Sequence, residues 1–226
     1  MVPQYLIELA LAFATASDEG PQTKFCAIHS QREGEVGRLV LGSSPAHLAE
    51  IHAQDGGEAY VGGEFDAKTI YRAYQQLCQE MAHAFNLTDR PIDAVEIVKN
   101  EPNSKGQDQH MDNLAGVWNM LSPLVDNCPA TIVKYQDYQD YPENMGPSSI
   151  VPRSWDGLPN IPLEWEVGDM LMVRSNAIHA GPQNGRDRRY ILFASEMPRR
   201  TADYTDSKVY TEDDFFEAKE HFEHER

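Results

Sequence analysis

The chain has 226 residues and a mass of 25.5 kDa, enough to bury one sizeable core, and a β-sandwich or barrel of this size counts as a single domain. Lys and Arg number 19 against 36 Asp and Glu, and the resulting charge of −17 repels phosphate backbones and anionic bilayers, which argues against nucleic acid or membrane as partners. With 41% hydrophobic and 24% charged residues, the composition is that of an ordinary soluble globular protein and not of a disordered or fibrous chain.

The first apolar run, Tyr5 to Ala16 (YLIELALAFATA), carries Glu8 and has no Lys or Arg before it, so it reads as a helix and not as a targeting segment. It is also shorter than the roughly 20 residues a transmembrane helix needs. Cys26, Cys78 and Cys128 are widely spaced and form no C-x-x-C pair, which suggests neither a disulfide framework nor a cysteine zinc site and fits the reducing cytoplasm. Ser44-Pro45 followed by AHLAEIHA predicts a capped helix over 44–53. Residues 66–87 predict a longer one, with Asp66 as cap and Ile70, Tyr74, Leu77, Met81 and Phe85 at helical spacing. Residues 1–92 are thus expected to be mostly helical support.

From residue 93 the pattern shortens to strand-like runs at 94–100, 116–121, 130–135, 169–175 and 189–195, separated by Asn, Pro, Gly and Asp. Such punctuation predicts an antiparallel sandwich or barrel over 93–196. The Pro-, Gly- and Trp-rich stretch 136–168 inside it reads as a lid, and the acidic tail 197–226 as ending in a helix over 211–226 capped by Thr211.

One constellation carries chemistry. On a strand, side chains two apart share a face, so His110 and Asp112 of QHMDN could hold one metal ion from the same side. His179, after the apolar run opened by Gly168-Asp169, could supply a third ligand from a non-adjacent strand of the same barrel. Two imidazoles and a carboxylate form the facial triad of non-haem Fe(II) oxygenases, which leaves positions open for a 2-oxo acid and dioxygen. A dicarboxylate cosubstrate also needs its far carboxylate held, and Arg189, at the start of the next apolar strand with Ile191 and Phe193 on the same face, offers a bidentate guanidinium.

These residues resemble the Fe(II)- and 2-oxoglutarate-dependent dioxygenases, whose signature is H-x-D, a distal His and an Arg about ten residues later. The segments NEPNSKGQDQHMDN and GDMLMVRSNAIHAGPQNGRDRRYILF look like the catalytic strands of the phytanoyl-CoA and prolyl hydroxylase branches. The resemblance covers residues 94–196, nearly half the chain. It implies a mainly β fold with supporting α, a double-stranded β-helix (jelly roll, cupin-like) core flanked by N-terminal helices. It implies Fe(II) held by His110, Asp112 and His179, with 2-oxoglutarate and O2 as cosubstrates and Arg189 on the far carboxylate. It also implies release of succinate and CO2 with hydroxylation of an unactivated C–H bond; desaturation and ring closure use the same chemistry.

Two features depart from the branches. The Pro-Gly-Ser-His element of the phytanoyl-CoA branch is absent, with Pro147-Ser148-Ser149 and Pro152-Arg153-Ser154 in its region. The second arginine of the nucleic-acid demethylases would fall at Ser195, which disfavours that branch in agreement with the charge. A small molecule is the favoured substrate, a peptide or protein side chain the alternative, and a non-redox cupin-type metal enzyme or a binding module with a vestigial site the rival class.

Each residue also has a plainer reading. His110 and Asp112 alone could be a solvated loop pair, Asp108 is in phase with His110, and Arg188 is the register rival of Arg189. Trp118 is either core or a flank of the cosubstrate, and Asn119 either donates to the cosubstrate or faces outwards. The YQDYQDY run with Arg153 and Trp155 could cover a substrate or be an exposed loop, and His221 and His224 with Glu217 and Glu223 read better as a solvated helix face than as a metal site.

Overall fold

The computed structural model describes residues 1–27, 36–45, 48, 60–87, 90–112, 117–126, 131–134, 158–181, 183–196, 210, 211 and 213. Two helices, α1 (Gln4–Glu19) and α2 (Phe65–Ala84), accompany two antiparallel sheets. The first sheet has the order β1 (Cys26–Ala27), β2 (Val36–Gly42), β3 (Ile92–Asn100), β10 (Arg189–Glu196), β5 (Trp118–Pro123), β8 (Leu171–Arg174). The second has the order β11 (Tyr210–Thr211), β4 (His110–Met111), β9 (His179–Ala180), β6 (Thr131–Lys134), β7 (Asn160–Leu163). Among the described residues no helix is long and apolar enough to cross a membrane.

α2 lies across β2, β3 and β10, and α1 packs on α2. Ala67, Ile70, Tyr74, Cys78 and Ala82 form the buried stripe of α2, and its small members let the helix sit close to the sheet. The stripe therefore continues through Cys78 and Ala82; Leu77 is only partly buried, and Phe85, expected on it, is exposed. The first helical residue is Phe65, Glu64 occupies the cap position without a side-chain cap bond, and Asp66 lies within the first turn instead of capping it. Its charge there still complements the helix dipole.

The sheet extends into the part of the chain expected to be helical. Val36–Gly42 (VGRLVLG) pairs along β3 from Val36↔Asn100 to Gly42↔Val95, and its burial on both faces hides the alternation that would mark it as a strand. Of the helix expected over 44–53, Ser44, Pro45 and Leu48 are described, and Leu48 N–H donates to Ser44 O at 2.9 Å. The expected lid 136–168 ends in an edge strand, β7, while 136–157 lie outside the described residues. The expected C-terminal helix also lies outside them, apart from Thr211 and Asp213, and Tyr210–Thr211 pair instead with β4.

Strand parity separates the two faces of the first sheet. The Tyr74 hydroxyl meets Ser122 Oγ at 2.9 Å and reaches Leu192 O at 3.3 Å, so Ser122 faces the helices, and Tyr190, Leu192 and Ala194 lie in the same core cluster. Alternation then turns Asn119 and Leu121 of β5, and Arg189, Ile191 and Phe193 of β10, towards the other face. The second sheet stands on that side: Leu121, Leu171 and Val173 from the first sheet and Thr131, Val133 and His179 from the second line one recess between them.

Candidate metal centre

His110 and His179 arrive through strand pairing. They are register partners on β4 and β9, so the distal histidine comes from the adjacent strand of the second sheet and not from a non-adjacent one. Directly opposed residues on antiparallel strands have Cβ atoms about 5 Å apart, which is why two imidazoles on one face converge there. Each ring is turned by its own backbone: His110 Nδ1 donates to Asp108 O at 2.8 Å and His179 Nδ1 to Ala177 O at 2.9 Å. A carbonyl can only accept, so each Nδ1 carries a proton, and the neutral form of each ring keeps the Nε2 lone pair for a ligand.

Asp112 lies on a bend just beyond the short strand β4, where its backbone N–H donates to Ser175 O at 2.8 Å. Its Oδ1 stands 3.5 Å from His110 Nε2 and 3.6 Å from His179 Nε2. Asp108, in phase with His110, contributes its carbonyl to that ring. Cis donors on an octahedral ion with bonds of about 2.1 Å lie about 3 Å apart, so a small closure of this cluster would accommodate a metal. Among the described residues, His110, Asp112 and His179 are the group with such spacing, their ligand atoms all within 4.8 Å of one another.

The electrostatics suit a cation. Burial works to raise the Asp112 carboxyl, but His179, His110 and the Asn119 hydrogen bond outweigh it and hold it below the ordinary carboxylate range. Burial and the neighbouring His110 push the His179 imidazole below its ordinary value, against the opposing pull of Asp112. The site therefore presents an ionised carboxylate and a neutral imidazole at neutral pH.

The other expected residues separate by face. Asn119, 2% exposed, donates from Nδ2 to Asp112 Oδ2 at 2.6 Å, so that bond goes to the carboxylate and not to a cosubstrate. Trp118 is turned the opposite way, against the helix-side core, with the Arg174 guanidinium 4.9 Å from its ring centroid; the period of two that brings Asn119 to the site carries Trp118 away from it. Arg189 is buried on the inward face beside Asn100, its register partner. Arg188 is on the outer side, with Nε donating to Glu101 Oε2 at 2.9 Å and NH1 paired with Asp18.

One pair of residues went unremarked in the sequence. Gln107 N–H donates to Gly181 O at 2.6 Å, and Gly181 N–H donates to Gln107 Oε1 at 2.8 Å. This clamp joins the approaches to both histidines, and a Cβ at position 181 would overlap Gln107 Oε1. The glycine two residues after His179 was its only visible signal.

The recess beside the triad is walled by Leu121, Thr131, Val133, Leu171 and Val173 and is small and partly open to solvent, with a cavity volume of about 20 Å³. Among the described residues, Thr131 contributes a hydroxyl to an otherwise apolar wall.

No family model matches the chain and no curated protein matches it in sequence. Solved structures do match. AviO1 from Streptomyces viridochromogenes Tue57 superposes with a TM-score of 0.56 at 17% identity, over 88% of each chain. SnoN, a non-heme alpha-ketoglutarate-dependent epimerase from nogalamycin biosynthesis, has a TM-score of 0.57 at 12% identity, over 87% of this chain and 74% of its own. A prolyl hydroxylase from Trichoplax adhaerens, in complex with a hypoxia inducible factor peptide fragment, has a TM-score of 0.52 at 11% identity, over 87% and 80%. At these identities the likeness establishes that the chain shares its fold with these structures.

Proposed function

We propose that the protein is an Fe(II)- and 2-oxoglutarate-dependent oxygenase, a single catalytic domain whose two sheets form a double-stranded β-helix, and that it hydroxylates an unactivated C–H bond of a small molecule. The observation that carries this reading is the convergence of His110 Nε2 and His179 Nε2 on Asp112 Oδ1. Two imidazole nitrogens and one carboxylate oxygen suit Fe(II), and they would leave three positions of an octahedron open. Bound there with 2-oxoglutarate and O2, the iron supplies oxidative chemistry in which the 2-oxo acid becomes succinate and CO2 while one oxygen atom enters a substrate C–H bond.

The chain's own residues do the rest. The Asp108 and Ala177 carbonyls orient the ligand imidazoles. Arg189, buried on the inward face, holds the far carboxylate of 2-oxoglutarate, where little water competes for its charge. Leu121, Val133, Leu171 and Val173 exclude water beside the metal, which protects the bound groups from side reactions. The apolar lining beside the metal suits an apolar part of a small molecule. SnoN and the Trichoplax enzyme show that one fold serves both kinds of substrate.

The test is turnover. With Fe(II) and 2-oxoglutarate the protein should consume O2 and release succinate in equal amounts, slowly without substrate and faster with one. A non-redox cupin-type enzyme would give neither product with Fe(II) and would act with Zn(II) or Mn(II) instead.

A further inference from the structure

Asp112 is the ligand most in need of an external tether. It lies on a bend just after a strand of two residues, whereas each histidine belongs to a paired strand and has a backbone carbonyl behind its ring. The side chain that reaches Asp112 comes from the other sheet. Asn119 sits in β5 between two neighbours, in register with Ser195 on β10 and Val173 on β8. The adjacent Trp118 N–H donates to Glu196 Oε2 at 2.9 Å, so the backbone that carries Asn119 is fixed from several directions.

We infer that Asn119 is a positioning residue for the metal: it holds Asp112 Oδ2, leaving Oδ1 alone to face the two imidazoles and keeping coordination by that carboxylate monodentate. This inference rests on the proposed metal site. The two carboxylate oxygens are divided between partners, with Oδ2 2.6 Å from Asn119 Nδ2 and Oδ1 3.5 and 3.6 Å from the two Nε2 atoms. The amide orientation follows from chemistry, since turning it over would set a carbonyl oxygen against a carboxylate oxygen. The bond is also what makes an asparagine tolerable at 2% exposure in a wall whose next inward residue is Leu121, because a buried amide without a partner is costly.

The consequence is a count of open positions. A carboxylate can bind a cation through one oxygen or through both. A bidentate Asp112 with two histidines would leave two positions on a six-coordinate ion, one fewer than a chelating 2-oxo acid and O2 require together. The bond from Asn119 engages a lone pair of the second oxygen and holds that oxygen towards the first sheet, which favours binding through Oδ1 alone and so keeps the third position.

Co(II) is a suitable probe, because its visible absorption reports coordination number. The full-length protein, Asn119→Leu and Asn119→Ala would each be titrated anaerobically with Co(II) and the bound spectra compared, with melting of the metal-free proteins as the folding control. Wild type is expected to bind one Co(II); a variant that folds is expected to bind about 10- to 100-fold more weakly and to show altered visible bands. Asn119→Ala serves if the leucine is not accommodated. Wild-type spectra and affinities in the folded variants would overturn the inference, and so would weaker binding with an unchanged spectrum, which would reduce Asn119 to a packing role. Failure of wild type itself to bind Co(II) would instead sink the metal-site reading on which the inference stands.

Discussion

His110 and His179 face each other across β4 and β9, with ring centroids 4.5 Å apart and planes tilted by 50°. Each imidazole is turned by the carbonyl two residues before it, so the pair is set by strand register and backbone together. Asp112 Oδ1 beside both nitrogens completes a cluster built from one short stretch of sheet.

The first prediction concerns those ligands. His110→Ala and His179→Ala should each lower Fe(II) affinity by more than about 100-fold, beyond the loss usual for groups that only support a ligand. Anaerobic metal titration with circular dichroism as the folding check measures this. A histidine variant that is folded and binds Fe(II) as tightly as wild type would remove that residue from the site.

Arg189→Gln should raise the 2-oxoglutarate concentration needed for half-maximal turnover by about 10- to 100-fold, the loss expected for a hydrogen bond between charged groups. Fe(II) affinity should stay near wild type. Arg188 is held by Asp18 and Glu101, so Arg188→Gln should leave 2-oxoglutarate dependence within about twofold of wild type. The opposite ranking would reverse the register assignment.

The clamp between Gln107 and Gly181 predicts a steric effect. Gly181→Ala must displace the flexible end of the Gln107 side chain and lose the bond it accepts, at a cost of about 0.5–1.5 kcal/mol. Chemical denaturation of the metal-free protein measures the cost, and metal titration should show weaker binding as β4 and β9 shift. Unchanged stability would mean that the side chain moves aside freely.

Among the described residues, His179 and Asp18 give stability a dependence on pH, and the lowered Asp112 carboxyl adds to it in acid. Burial lowers the His179 imidazole from its ordinary value of 6.5, so the unfolded chain takes up that proton first and metal-free stability falls as pH drops through the ordinary histidine range. Asp18 is buried at the end of α1, where burial would raise its carboxyl but Lys99 at 2.7 Å, Tyr190 and Arg188 lower it. Its contribution is therefore complete above the ordinary carboxylate value of 3.8 and is lost as pH falls through the lower folded value. Asp18→Asn should cost about 2–3 kcal/mol at neutral pH and should reduce the acid dependence in the carboxylate range to the part that Asp112 contributes, as measured by urea unfolding across pH.

The site was more legible than the scaffold. H-x-D places two donors one strand period apart, and the Arg-led apolar run RYILF reads as a buried strand, so these local signals survive without knowledge of pairing. The parity of β5 was not legible, because Trp118 and Asn119 are adjacent and either could face inwards; the contact of Ser122 with Tyr74, a partner 48 residues away, settles it. The strand Val36–Gly42 was hidden because it is buried on both faces, and the adjacency of His110 and His179 because antiparallel pairing between distant segments leaves no mark on either. Asn119 stands out in the sequence as a donor to the cosubstrate or an outward-facing residue, and its bond to the Asp112 carboxylate is visible only in the structure.

The most direct measurement is anaerobic calorimetric titration of 2-oxoglutarate into the protein with and without Fe(II), and into His110→Ala and Arg189→Gln. The account predicts one 2-oxoglutarate per chain, bound tightly only with Fe(II), lost in the histidine variant and weakened in the arginine variant. Binding that is indifferent to Fe(II), or no binding at all to Fe(II)-loaded wild type, would contradict it.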